Sequence, residues 1–239
     1  MKRVIGHRGA SAHAPENTIA SFEEAKKRGC VTIEFDVMLS ADGDPFVFHD
    51  ETLKRTTNGR GKFGEVKTTY IQSLDAGHWF SKRFRGEVIP SLADALDWFN
   101  HSGMHPNIEI KPYPGTTEQT AAATLMCINQ HWPTAKVLPL VSSFDIKALT
   151  FCRNLSPELP LGLLLDKWVK EWHTVAHDLQ CYSVHISKNI ATEKRIKEIK
   201  SHGYQVYVYT VNRKWRARKL LKWGVDALFS DHPERIGSI

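Results

Sequence analysis

The sequence predicts an α/β fold, an irregular (β/α)8 TIM barrel with a small insertion after the second strand's hairpin. Three observations predict it. Short apolar runs alternate with segments of helical periodicity along most of the chain, and the parallel strands among them number eight. The length of 239 residues suits one barrel domain spanning 1–239. His7, Glu34, Asp36, Glu109, Lys111 and Asp231 fall at or near the C-terminal ends of predicted strands, the face on which such barrels carry their active sites.

Val4 to His7 reads as a short buried strand. Pro15-Glu16-Asn17-Thr18 leads into a helix with apolar positions Ile19, Phe22 and Ala25, closed by Gly29. The second strand runs from Val31 to Val37. Asp42-Gly43 then signals a tight hairpin returning through Pro45 to His49. A two-residue turn pairs Phe48 with Val37 and brings His49 level with Asp36. Residues 51–88 lose periodicity and are too long for an ordinary loop, so they are expected to form an insertion subdomain over the active-site face.

Ser91 is placed to N-cap a helix running through Trp98. From there strands at Asn107–Lys111, Val137–Ser142, Leu161–Leu165, Ser183–Ser187 and Gln205–Val211 are each followed by a helix. Those helices cover Thr116–Gln130, Asp145–Arg153, Trp168–Leu179, Thr192–His202 and Lys214–Trp223. Ala227–Asp231 makes the last strand.

Composition narrows the class. An apolar fraction of 41% and a charged fraction of 24% are ordinary for a globular protein. The net charge of +6 favours anionic small molecules without arguing for nucleic acid. The four cysteines are scattered with no CxxC pair, which reads as reduced core thiols. No run is long and apolar enough to span a bilayer, and the N-terminus is too polar for a signal peptide, so no stable membrane insertion and a cytoplasmic location are expected. The oligomeric state is left open.

The chemistry lies in a few side chains. An imidazole with a pKa of about 6.5 moves protons near neutrality, and His7 and His49 both lie at strand ends. Arg8 offers a fixed fork of donors suited to phosphate, and Lys111 a point charge. Glu34 and Asp36 are two apart on one strand and so share a side. Close carboxylates repel unless a cation or a shared proton compensates, and a hard divalent ion is the natural occupant. Glu109 adds a third carboxylate. A structural salt-bridge layer explains any one of these pairs, but both pairs together with two histidines point to phosphoester chemistry.

These residues also carry a resemblance. His7-Arg8-Gly9, Pro15-Glu16-Asn17-Thr18, Glu34-x-Asp36, Asp42-Gly43, His49-Asp50, Pro90-Ser91-Leu92, Glu109-x-Lys111, Thr210-Val211-Asn212 and Asp231-x-Pro233 resemble, in order, the motif series of the glycerophosphodiester phosphodiesterase family. The resemblance covers nearly the whole chain and extends to the irregular stretch containing Asp75 to Trp79. It implies hydrolysis of small-molecule glycerophosphodiesters, such as glycerophosphocholine and glycerophosphoethanolamine, to sn-glycerol 3-phosphate and an alcohol. It implies Mg2+ or Ca2+ on Glu34, Asp36 and Glu109, an acid–base pair in His7 and His49, and phosphate binding by Arg8 and Lys111. Tyr209 stands where the family often has Trp. The nucleophile, water or the glycerol 2-hydroxyl through a cyclic phosphate, stays open. A lysophospholipase D-type barrel and a catalytically silent phosphate- or metal-binding module are the alternative functions.

Glu16, Asn17, Asp50, Ser143, Phe144, Tyr209 and Asp231 are expected at the pocket edge or behind it. His173 and His177 lack the intervening Glu of a zinc-hydrolase helix and read as surface residues. His185 reads as a satisfied core histidine. The basic helix from Arg213 to Trp223 reads as a solvated outer helix rather than a nucleic-acid or membrane surface.

Overall fold

Strand β1 (Val4–His7) hydrogen-bonds to two parallel neighbours, and that double pairing closes a barrel. In the computed structural model, which describes residues 3–133 and 135–237, its partners are β2 (Thr32–Leu39) and β9 (Ala227–Ser230). Met1, Lys2, Thr134, Ser238 and Ile239 of the expected single domain lie outside the described residues.

In chain order, helix α1 (Ile19–Lys27) connects β1 to β2, and β3 (Pro45–Val47) folds back on β2. Then follow α2 (Thr68–Gln72), α3 (Leu92–Ser102), β4 (His105–Ile110), α4 (Thr117–His131), β5 (Leu140–Ser143) and α5 (Ile146–Leu155). The chain continues through β6 (Leu161–Leu165), α6 (Trp172–Asp178), β7 (Ser183–Ser187), α7 (Glu193–Ser201), β8 (Gln205–Tyr209) and α8 (Lys214–Lys222) to β9 and α9 (Pro233–Ile236). The barrel order β1-β2-β4-β5-β6-β7-β8-β9 is parallel throughout, with β3 an added antiparallel strand.

Alternation along the strands divides the chemistry. Ile33, Phe35, Val37, Ile108, Val141, Val184 and Val206 face the helices and join one apolar core with Phe22, Phe99 and Trp172. The other face of the strands looks into the barrel. At its base Ile5, Tyr207, Ala227 and Phe229 make a small apolar floor. Above it the inward residues turn polar, and that switch creates the site.

Caps fix the helix starts. Thr18 and Ser91 each form a reciprocal capping box, and Gly103, in the left-handed region at φ 71°, ends α3 one turn beyond the expected Trp98. Strand β5 begins at Leu140 rather than Val137, because Pro139 has no N–H for the ladder and Val137 is exposed. Helix α6 begins at Trp172 rather than Trp168.

The hairpin departs from the expected register by one residue. Val47, not Phe48, lies opposite Val37, and the Phe48 N–H donates to the Asp36 carbonyl at 3.0 Å. The connection is the longer loop Ser40-Ala41-Asp42-Gly43-Asp44. Ser40 Oγ accepts the N–H groups of Asp42 and Asp44 at 3.2 and 3.1 Å, while Asp42 caps α2 through the Thr68 N–H. The ladder ends at Val47, and residues 48–50 leave the strand, which lets His49 reach the barrel mouth despite the shift.

Residues 51–88 form short helical turns and α2 around a core of their own. Leu53, Phe63, Ile71 and Leu74 pack on Met38, Phe46 and Phe48 of the hairpin, with Phe48 stacked on Phe63 at 4.5 Å. Among the described residues no helix is long and apolar enough to cross a membrane. The four cysteines are buried without disulfides.

Candidate active site

The barrel register sets the site. His7 pairs with Glu34 on β2, and Asp36, the next inward position on β2, pairs with Glu109 on β4, so three carboxylates and a histidine converge on two successive inward positions. Glu34, Asp36 and Glu109 are 3%, 1% and 8% exposed, and one oxygen from each falls within 4.8 Å of the others. Burying ionised carboxylates costs several kcal/mol each unless they are compensated. Here Arg8 and Lys111 compensate incompletely.

Arg8 adopts a left-handed backbone, φ 53°, which turns its N–H onto Glu34 Oε2 at 3.0 Å and its guanidinium toward Asp36 Oδ2 at 3.3 Å. Gly9 after it lies at φ 86°, where a Cβ would stand 2.3 Å from Ser21 Oγ, so only glycine completes this turn. Lys111 Nζ is 4.0 Å from Asp36 Oδ1. Asn17, also left-handed, donates from Nδ2 to Asp36 Oδ2 at 2.9 Å.

The carboxylates therefore differ. Burial alone would raise Asp36, but Arg8, His49, Lys111 and the Asn17 hydrogen bond hold it below its ordinary value. Burial, then the charges of Asp36 and Glu109, push Glu34 well up. Burial and Asp36 push Glu109 up to about 8. Glu109 Oε1 is buried with no hydrogen-bond partner. An orphaned buried oxygen among three converging carboxylates is what a hard, oxygen-seeking cation would satisfy, so these residues fit a divalent metal.

The two histidines are each held by a carboxylate. His7 Nδ1 donates to Asp231 Oδ1 at 2.6 Å, and Asp231 also accepts from Ser11 Oγ and Asn212 Nδ2. Burial would raise Asp231, yet His7, Asn212 and Ser11 hold it well below the usual carboxylate range. His49 Nδ1 donates to Asp50 Oδ1 at 2.6 Å. Burial opposes ionisation of Asp50 too, and Arg55 and His49 overcome it. An ionised carboxylate only accepts, so in each pair the Nδ1 bears the proton and Nε2 is left for chemistry. Burial lowers the His49 pKa, with Arg8 and Lys111 acting in the same direction and Asp36 and Asp50 against it.

His7 and His49 line one cavity of about 170 Å³ with Arg8, Glu34, Glu109 and Lys111. Phe144, Tyr209 and Leu164 supply its apolar wall, and Phe144 meets Tyr209 edge to face at 5.9 Å. Glu16 does not line this cavity. It binds Arg8 at 2.6 Å and Arg55 at 2.6 and 2.8 Å.

One expected residue is displaced. Ser143 points away from the cavity, its hydroxyl donating to the Ile110 carbonyl and accepting the Asp145 N–H, and Ser142 takes the inward position. A strand's period of two makes a one-residue error a change of face. His185 is fully buried at the cavity floor, bonded to Ser183 Oγ and stacked on Tyr207, and burial pushes it down to about 3. Arg55, Ser11 and Asn212 were not foreseen as site residues. Asn212 stood in a noted motif, whereas Arg55 lies in an aperiodic stretch with no local signal.

Comparison with known proteins finds relatives along nearly the whole chain. Residues 7–235 match the model of the glycerophosphoryl diester phosphodiesterase family. A glycerophosphodiester phosphodiesterase of Caldanaerobacter subterraneus subsp. tengcongensis is 36% identical over 98% of this chain and 95% of its own. One from Bacillus subtilis is 32% identical over 97% of this chain and 84% of its own. An Oleispira antarctica phosphodiesterase, solved with the product sn-glycerol-3-phosphate, superposes with a TM-score of 0.95 at 39% identity, covering 99% of this chain and 95% of that one. With matches spanning nearly the whole chain, the protein belongs to the glycerophosphoryl diester phosphodiesterase family.

Proposed function

We propose that this enzyme hydrolyses glycerophosphodiesters such as glycerophosphocholine and glycerophosphoethanolamine to sn-glycerol 3-phosphate and an alcohol, with a divalent cation, Mg2+ or Ca2+, on Glu34, Asp36 and Glu109. The observation that carries the reading is the pairing of His7 with Asp231 and of His49 with Asp50 at a cavity lined by Glu34 and Glu109, which converge with Asp36 into a buried carboxylate cluster. Binding alone needs no second oriented imidazole; cleavage of a phosphodiester needs a proton taken at one side and given at the other. The similarity to the Oleispira enzyme supports the same product.

In this reading Arg8 and Lys111 face the phosphate, and a cation held by Glu34, Asp36 and Glu109 would supply positive charge to offset the negative charge that builds up at phosphorus. His7, with Nδ1 held by Asp231, takes the proton of the nucleophile at Nε2. That nucleophile is either a water, which gives sn-glycerol 3-phosphate directly, or the glycerol 2-hydroxyl, in which case a water then opens the cyclic phosphate with the two histidines exchanging roles. His49 delivers a proton from Nε2 to the departing alkoxide. Its lowered pKa makes the protonated ring a stronger acid, which suits donation. Tyr209 and Phe144 wall the organic part of the substrate. A cytoplasmic location belongs to the same proposal and is supported by four buried cysteines without disulfides.

The test is release of sn-glycerol 3-phosphate from both substrates, with and without EDTA, for wild type and His7→Ala. Turnover that requires metal and is lost in the variant is expected. Absence of turnover with Mg2+, Ca2+ and Mn2+ would overturn the proposal and bring lysophospholipids forward as substrates.

A further inference from the structure

Three more ligand-type side chains converge outside the cavity. His13 lies in the loop after β1, His232 immediately precedes α9, and Glu234 is in the first turn of α9. One ligand atom from each falls within 4.8 Å of the other two. His13 Nε2 is 3.1 Å from Glu234 Oε2, and His232 Nδ1 is 3.6 Å from Glu234 Oε1. The rings stand edge to face at 5.4 Å, so they approach the carboxylate from different directions. The side chains are partly exposed, yet the atoms His13 Nε2, His232 Nδ1 and Glu234 Oε2 are all buried and all lack a hydrogen-bond partner.

We infer that His13, His232 and Glu234 form a second metal site, for a borderline transition ion such as Zn2+. Two imidazole nitrogens and one carboxylate oxygen are the donor set zinc takes, with a fourth position left for water. Mg2+ and Ca2+ prefer oxygen alone, which separates this cluster chemically from Glu34, Asp36 and Glu109. A plain ion pair accounts for less: protonating His13 pairs it with Glu234 and leaves His232 Nδ1 orphaned beside the same carboxylate. Arg28 Nη1 and Arg235 Nε stand 3.8 and 3.7 Å from Glu234, beyond good hydrogen-bond reach.

The position gives the ion work to do. The Ala12 N–H donates to the Asp231 carbonyl at 3.2 Å, so the two segments carrying the ligands already touch where β1 and β9 close the barrel. An ion held by His13 on one segment and His232 and Glu234 on the other fastens that seam, next to the carboxylate that holds His7.

The experiment is titration of Zn2+, and of Co2+ as its coloured stand-in, into metal-stripped protein in excess Mg2+. Wild type is compared with His13→Gln, His232→Gln and Glu234→Gln, each checked for folding by circular dichroism. Expected are one Zn2+ per chain that every variant loses, by at least ~10-fold in affinity, and the intense visible absorption of four-coordinate Co2+ in wild type alone. Zn2+ should also raise the melting temperature of wild type and leave the variants unmoved, with Mg2+-supported turnover the same in all four. If a histidine variant fails to fold, Glu234→Gln, which keeps side-chain size and both imidazoles, decides the matter. Equal Zn2+ affinity, stoichiometry and Co2+ spectra in wild type and Glu234→Gln would overturn the site.

Discussion

Arg55 reaches His49 through a single carboxylate. Asp50 accepts His49 Nδ1 at 2.6 Å on Oδ1 and takes Arg55 Nε at 2.5 Å and Nη2 at 2.8 Å on its two oxygens. The same guanidinium holds Glu16, which holds Arg8. One residue of the 51–88 segment therefore braces both His49 and Arg8.

Replacing Arg55 with Met should cut kcat by about 10–100-fold, the range seen when a group behind a functional side chain is lost. The direction in pH follows from charge. Removing a cation behind Asp50 raises the His49 pKa, so if His49 is the acid, the alkaline limb of the kcat profile moves to higher pH. A uniform loss at every pH would mean that Arg55 only holds the segment in place.

His7 and His49 should separate by leaving group. Each alanine substitution is expected to cost about 10²–10⁴-fold on glycerophosphocholine. With an aryl phosphodiester, whose phenolate leaves without a proton, His49→Ala should recover most of its rate and His7→Ala should not. The reverse pattern would exchange their roles.

Gly162 faces His185 across the barrel floor. A Cβ there would lie 2.8 Å from two ring atoms of His185 and 3.1 Å from Ser142 Cβ. Neither neighbour is free to move, so Gly162→Ala should destabilise by about 1–3 kcal/mol, at about 2–4 °C in Tm per kcal/mol. Adding His185→Ala should recover part of the loss. Unchanged thermal melts for the single variant would show that the floor is looser than the geometry implies.

What the sequence made legible is what local pattern encodes. Phe22 and Ala25 at helical spacing placed α1, and the two-residue spacing of Glu34 and Asp36 put both on one face because a strand has no other choice. Partners distant in sequence were not legible. Asp231 holds His7 from 224 residues away, and Arg55 meets Asp50 and Glu16 from a segment without periodicity. The hairpin register went wrong because Ser40 Oγ, not the Asp42-Gly43 pair alone, sets the loop length. Pro139 similarly overruled the apolar run that suggested an earlier start for β5.

Stability of the metal-free enzyme should fall as pH rises from about 5 to 8. In the folded, metal-free protein the Glu109 pKa is pushed up to about 8 and that of Glu34 is also raised. Unfolded glutamates ionise near ~4.3. Below that value both states hold the proton and neither group affects stability. Above it the unfolded chain releases protons that the folded chain retains, so unfolding is increasingly favoured until the folded groups ionise in turn. Asp36 acts oppositely but outside this window: its lowered pKa contributes stability above the unfolded aspartate value, lost only as acid protonates it. A divalent cation should reverse the trend, since it binds the ionised carboxylates and displaces their protons. Melting temperatures measured with EDTA should therefore decline across this range, and those with Mg2+ should not. Calorimetry at pH 7 in two buffers of different ionisation enthalpy should show proton release on metal binding. Parallel melting curves with and without metal, together with no proton release, would mean that Glu34 and Glu109 are already ionised in the metal-free fold.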